Sequence, residues 1–332
     1  MLEKMLRIAV YAVLMVIGLQ TAKADELRVA HFMPPSHPMD RGVMSPLAEE
    51  IKAATNGELT MRIYPAGELG KGPMQQYKRV LTGVADIVFG IPGYTARQFG
   101  KTTMLHIPGL FVDGAAATNT VWDNITLLED EFAQAKLLGL WANNPSVLIT
   151  RNKAVRALAD MKGLKIRTPN PVMTELIKAW GAIPVSMPVT ETYNSMNTGV
   201  VDGIMIGPSG IRSYKLYETA KYVTTNIPSA LDSFYLLMNK ARWEKLSNDH
   251  KAKLENLTGR KMSLRGARAF YEAGQAGLKL AADNQVEMIE IDGAADAAFR
   301  AAMKSPVAAY IAKTGKENGV DGQAIVSALV EH

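Results

Sequence analysis

The sequence predicts an α/β protein of two domains behind an apolar leader. Short alternating or apolar runs are separated by amphipathic helical patterns, and the order strand, helix, strand, helix, strand indicates a parallel sheet. A second set of the same kind starts near Val147. The chain has 332 residues, a length at which a single core usually gives way to two.

The first residues read as a leader. Lys4 and Arg7 make a positive start, residues 8–19 a mostly apolar run, and Ala22-Lys23-Ala24 a small-residue cleavage site. The run is too short to span a bilayer as a helix. A cleaved signal peptide over 1–24 is expected, with a retained anchor as the competing reading. Removing Lys4, Arg7 and Lys23 against Glu3 takes two positive charges from the formal +5 and leaves +3. The remaining basic residues are scattered, which gives no electrostatic footprint for nucleic acid. Apolar and charged contents of 48% and 21% are those of a soluble globular chain. With no cysteine, disulfides, thiolate nucleophiles and thiolate metal ligands are excluded.

Along the chain, residues 26–30 read as a first strand, and 45–55 as a helix with Leu47, Ile51 and Ala54 on one stripe and Asn56-Gly57 closing it. Residues 59–64 alternate as a second strand. A turn at 65–70 leads into a helix through Leu81, and 85–90 is an apolar strand running into the loop Ile91-Pro92-Gly93-Tyr94. In the second set, 147–150, 164–168 and 201–206 read as strands, and 172–180 and 191–198 as helices. Residues 234–238 form another apolar strand. A proline-free helical pattern then runs from Asn248 towards Val286, more than 45 Å if continuous and longer than one small domain is wide. Helices near 294–313 and 322–330 follow.

Catalytic chemistry is poorly represented. Gly67-x-x-Gly70-x-Gly72 lacks the Gly-Lys-Ser/Thr ending of a phosphate loop, and the five histidines show no metal-binding spacing. Gly207-Pro208-Ser209-Gly210 is no nucleophile elbow, because proline precedes the serine. Asp202-Gly203 shapes a strand edge more readily than it forms an acid–base pair with Glu191.

Arg167 carries the main functional signal. Leu164/Ile166 alternate with Lys165/Arg167, and Thr168-Pro169-Asn170-Pro171 stops the run, which puts Arg167 at the carboxyl end of a strand. Ligand crevices of α/β sheets lie outside that end, and a guanidinium there is a planar fork matched to a carboxylate. On spacing alone, a surface arginine paired with a nearby acid is the better-supported reading.

Several segments together resemble the extracytoplasmic substrate-binding proteins of tripartite ATP-independent periplasmic (TRAP) transporters, the DctP family. They include Leu27-Arg28-Val29-Ala30, Tyr64-Pro65-Ala66-Gly67-Glu68-Leu69-Gly70, Ile107-Pro108-Gly109-Leu110-Phe111, Met161-Lys162-Gly163-Leu164-Lys165-Ile166-Arg167, Thr198-Gly199-Val200-Val201-Asp202-Gly203 and Tyr217-Glu218-Thr219-Ala220-Lys221-Tyr222. The resemblance implies an α/β, two-lobed periplasmic-binding-protein-like fold with hinge strands and a long helix spanning both lobes. The expected bounds are 25–146 plus 233–272 for lobe I and 147–232 plus 273–332 for lobe II. It also implies a non-enzymatic periplasmic receptor with no cofactor, a small carboxylate as ligand, and the small and large integral membrane subunits of a permease as partners. By the match of the Lys-Ile-Arg segment, Arg167 is the carboxylate anchor. Alignment through the flanking motifs places Phe32, Ile91, Tyr94, Val147, Val189 and Ile206 in the pocket, with Asn144 or Asn143 as a polar contact. The apolar members read equally as plain lobe core. One cation among apolar walls favours a monocarboxylate with an apolar or aromatic body. A ligand-presenting partner for a membrane sensor, and a periplasmic enzyme on the same scaffold, are the alternatives.

Overall fold

The structure, a computed structural model, describes residues 24–330. The leader expected over 1–24 lies outside the described residues except for Ala24. Among the described residues, no helix is long and apolar enough to cross a membrane.

Two sheets organise the chain. The first has the order β2 (Leu59–Tyr64), β1 (Asp25–Ala30), β3 (Ile87–Gly90), β10 (Ser233–Asn239) and β4 (Ala135–Ala142). The second has the order β11 (Glu287–Ile289), β9 (Tyr222–Thr224), β5 (Val147–Thr150), β8 (Gly203–Ile206), β6 (Lys165–Thr168) and β7 (Ile183–Ser186). The expectation of parallel sheets needs correction, because both are mixed. β1 runs parallel to β2 and β3, but β10 is antiparallel to β3 and β4, and β5 is antiparallel to β8 and β9. The cause is connectivity: β4 leads into β5 of the other sheet, and the chain returns from β9 into β10.

The two crossing segments lie side by side. The Asn143 N–H donates to the Asp232 carbonyl at 3.0 Å, the Ser146 N–H to the Ala230 carbonyl at 3.0 Å, and the Ser229 hydroxyl to the Ser146 carbonyl at 2.6 Å. This short antiparallel pairing joins the sheets and satisfies backbone groups that burial would otherwise leave bare.

The helical pattern from Asn248 towards Val286 is not one rod. It forms Asn248–Leu257 and Gly259–Asp283, bent at Thr258, whose backbone is extended at φ −107° and ψ −155°. Gly259 takes a φ of +69°, a conformation glycine adopts without steric cost. The second piece, 25 residues or about 37 Å, still reaches elements of both sheets. It packs on β4 near Gly266, whose missing side chain leaves room for Trp141, and on the Ser209–Ser213 helix near Gly277. Phe270 on this helix stands 4.6 Å from Phe234, which stacks on Phe89 at 5.6 Å. This aromatic cluster forms the floor between the sheets.

A Cβ at Gly277 would lie 2.7 Å from the Pro208 carbonyl oxygen and 3.3 Å from Ile211 Cβ. Gly277→Val is therefore expected to push the helix away and cost about 1–3 kcal/mol in urea unfolding. An unchanged midpoint and slope would show that this contact does not hold the two parts together.

Candidate functional site

β6 lies inside the second sheet, with Arg167 opposite Val185 of β7 and Ile204 of β8. The strand ends at Pro169, and the Asn170 side chain accepts from the Met173 N–H at 2.8 Å, opening the Pro171–Ala179 helix. Arg167 is only 1% exposed. A charge so placed needs local solvation, and backbone supplies part of it. Nε donates to the Met187 carbonyl at 3.0 Å and Nη1 to the Met205 carbonyl at 3.1 Å. Nη2 donates to the Tyr94 hydroxyl at 3.3 Å. That oxygen also accepts from the Val189 N–H at 2.9 Å, so Tyr94, just beyond β3 of the first sheet, is tied to the second sheet twice. No ion pair among the described residues includes Arg167. Of its five N–H groups, one on each Nη is left over, a two-pronged fork.

The fork borders a small cavity between the sheets, about 40 Å³ in volume. Of the residues expected there, Arg167, Tyr94, Ile91, Val189 and Ile206 line it together. Phe32 does not; it packs behind the wall, with ring centroids 5.7 Å from Phe89 and 6.3 Å from Tyr94. Asn144 is also turned away. It accepts from the Gly114 N–H at 3.2 Å, while its neighbour Asn143 faces the cavity, since successive residues of an extended segment point in opposite directions. Val147, opposite Ile206 in the ladder, borders a separate outer depression with Asn144 and Pro145.

Sequence reasoning missed Met33, His37, Tyr214, Asp232, Phe234 and Phe270, all of which line the cavity. The crossing segments and the long helix bring them there from distant positions. An acid just ahead of an apolar strand, as in Ala230-Leu231-Asp232-Ser233, was the signal available for Asp232.

The polar groups divide by charge. His37 Nδ1 accepts from the Met39 N–H at 3.1 Å, so the neutral ring carries its proton on Nε2. Burial, helped by nearby His31, pushes the His37 pKa down to about 3. Burial likewise lowers His31, although Asp40, whose Oδ2 lies 3.4 Å from His31 Nε2, pulls it the other way. Burial raises the Tyr94 and Tyr214 hydroxyls, so both stay protonated. Asp232 is raised by burial too, against a hydrogen bond from Asn170 and the charge of Arg167. Among the described residues, Arg167 is the only lysine or arginine lining the cavity. Among the described residues there is no group of three acids and histidines that could hold a metal.

Comparison with known proteins agrees with this geometry. The family model for bacterial extracellular solute-binding protein, family 7 (DctP), matches residues 29–314. The chain is similar to a marine metagenome TRAP solute-binding protein specific for aromatic acid ligands, solved with metahydroxyphenylacetate (29% identity, TM-score 0.88, 92% of this chain and 97% of that one). It is also similar to a TRAP solute-binding protein from Rhodoferax ferrireducens with copurified benzoate (26%, 0.88, 92% and 96%). A third is a TRAP periplasmic solute-binding protein from Bordetella bronchiseptica with bound (R)- and (S)-mandelate (27%, 0.84, 92% and 97%).

The buried histidines make stability pH-dependent. An unfolded histidine titrates near 6.5, whereas folded His37 and His106 stay neutral down to about 3. Between those values the unfolded chain binds more protons, so acidification destabilises the fold by up to about 1.4 kcal/mol per pH unit for each histidine. The raised carboxyls of Glu131 and Asp232 act in the opposite sense, so the comparison with variants isolates the histidine share. Urea unfolding from pH 4.5 to 7.5 should show a shallower acid slope in His106→Gln than in the parent. Equal slopes would mean that His106 is protonated in the folded protein.

Proposed function

The chain belongs to the bacterial extracellular solute-binding proteins of family 7 (DctP), and from that premise we propose that it is the periplasmic receptor of a TRAP transporter for a small monocarboxylate with an apolar or aromatic body. The observation that carries this reading is the buried guanidinium with no ion-pair partner among the described residues, opening two N–H groups into a small, mostly apolar cavity. A carboxylate on that fork completes the solvation that Met187, Met205 and Tyr94 begin. The Tyr94 oxygen already accepts two hydrogen bonds, so its own proton is free to reach the same carboxylate. Ile91, Val189, Ile206, Phe234 and Phe270 supply a wall for an apolar body. A second carboxylate on the ligand would find no further lysine or arginine, at a cost of several kcal/mol. Benzoate, metahydroxyphenylacetate and mandelate in the similar proteins fit this description.

The two sheets with their helices act as lobes, 25–146 plus 233–272 and 147–232 plus 273–332, hinged at the crossing segments. Contacts from the first to the second, Tyr94 to Arg167 and Val189, and the Tyr214 hydroxyl to Met33 Sδ at 2.7 Å, describe a closed arrangement. A ligand that touches Arg167 and the first-lobe wall together favours closure by its differential affinity. The leader directs the chain to the periplasm, and the closed form delivers its cargo to the small and large permease subunits in the membrane.

Calorimetry on aromatic, aliphatic and keto monocarboxylates tests this. Truncating one partner of a buried charge pair costs on the order of 2–5 kcal/mol, so Arg167→Ala should weaken binding by tens- to thousands-fold. Arg167→Lys should also bind poorly, because an ammonium cannot present the fork. Full affinity in a folded Arg167→Ala protein would sink the assignment.

A further inference from the structure

A carboxyl group lining an anion-binding cavity needs a reason. Asp232 is 6% exposed and borders the same space as Arg167. Its backbone is fixed by Asn143, which receives the Asp232 N–H on Oδ1 at 2.8 Å and donates its own N–H to the Asp232 carbonyl at 3.0 Å. Its side chain is fixed by Asn170, whose Nδ2 donates to Oδ1 at 2.8 Å. The other carboxylate oxygen, Oδ2, has no hydrogen-bond partner among the described residues. The chain thus holds one acceptor at the cavity and leaves it open.

The charge of Arg167 favours the ionised form of Asp232, but that attraction does not by itself account for an oxygen left open at the cavity. One amide oxygen would satisfy Asn170 as well, without a negative charge facing an anionic guest. The charge becomes favourable once the guest brings a hydrogen-bond donor. Arg167 takes the acid end of the ligand, so a donor for Asp232 must sit on the body. We propose that Asp232 is the specificity-determining residue of the cavity, accepting a hydrogen bond from a hydroxyl on the body of the bound monocarboxylate and so favouring hydroxylated acids over unsubstituted ones. This inference rests on the carboxylate-receptor reading of the site.

The same geometry sets a simple test in wild-type protein. Calorimetry would compare benzoate, the three hydroxybenzoates, the matching fluorobenzoates, and mandelate against phenylacetate. Fluorine keeps much of the hydroxyl's size and donates nothing. A hydrogen bond to a charged acceptor corresponds to about ten- to a hundredfold in affinity. At least one hydroxylated acid should therefore bind about tenfold or more tightly than both its parent and its fluoro analogue. In Asp232→Asn, which retains an oxygen for Asn170, that preference should fall to about one.

Hydroxylated and fluorinated acids binding alike in wild type would overturn the inference, as would a hydroxyl preference that persists in Asp232→Asn. In either case, carboxylate binding that still depends on Arg167 leaves the receptor reading standing. If no carboxylate in a wider aliphatic and keto series binds at all, both fall. Should Asp232→Asn not fold, the fluoro comparison in wild type decides alone.

Discussion

A fixed positive charge held away from water is the constraint around which this molecule is arranged. Removing a guanidinium from solvent costs several kcal/mol even after relaxation. Arg167 recovers part of that from two backbone carbonyls and one phenol, each on a different stretch of chain. The carbonyls lie on the side of Arg167 itself, in β8 and just beyond β7, whereas the phenol lies just beyond β3, so the Tyr94 part of this solvation exists only when the sheets are close. On the proposed reading, an anion on the remaining N–H groups completes it, and ligand capture and closure draw on the same electrostatic deficit.

That coupling requires the sheets to approach along one path. The paired crossing segments at 143–146 and 229–232 tie the ends of the strands nearest the cavity. The Gly259–Asp283 helix lies against both halves, and its glycines set how closely it approaches Trp141 and Pro208. With Phe234 and Phe270 packed 4.6 Å apart beneath the cavity, a wall for the ligand is also a structural joint. Packing of this density transmits small displacements instead of absorbing them.

Much of the fold was legible in the sequence where local chemistry decides the conformation. β1, β2, β5, β6, β8 and β10 stand close to where alternation or apolar runs placed them, and Asn170 opens its helix as a capping residue should. β4 escaped notice because Lys136 and Gly139 interrupt its apolar run, and only pairing with β10 gives it a reason to be extended. β9 and β11, three residues each, are too short to carry a pattern, and Pro184 masks β7. The bend at Thr258 went unread although Gly259, a poor helix-interior residue that takes a positive φ freely, marks the place. In the site, Arg167 was visible because strand end and charge coincide in sequence. Asn143 was confused with Asn144 because nothing local says which way an extended residue faces. His37 and Asp232 reach the cavity only through long-range topology.

The charge inventory of the cavity has a further consequence. On the proposed reading, two cations would allow a diacid, whereas one cation with an acid nearby disfavours it, because a second ligand carboxylate would meet either apolar wall or Asp232. Burial pushes the His37 pKa down to about 3, so this histidine adds no second positive charge at neutral pH. The backbone carbonyls and Tyr94 use three of the five N–H groups of Arg167. On the proposed reading, what is left takes one carboxylate, and its placement decides which part of the guest faces Asp232.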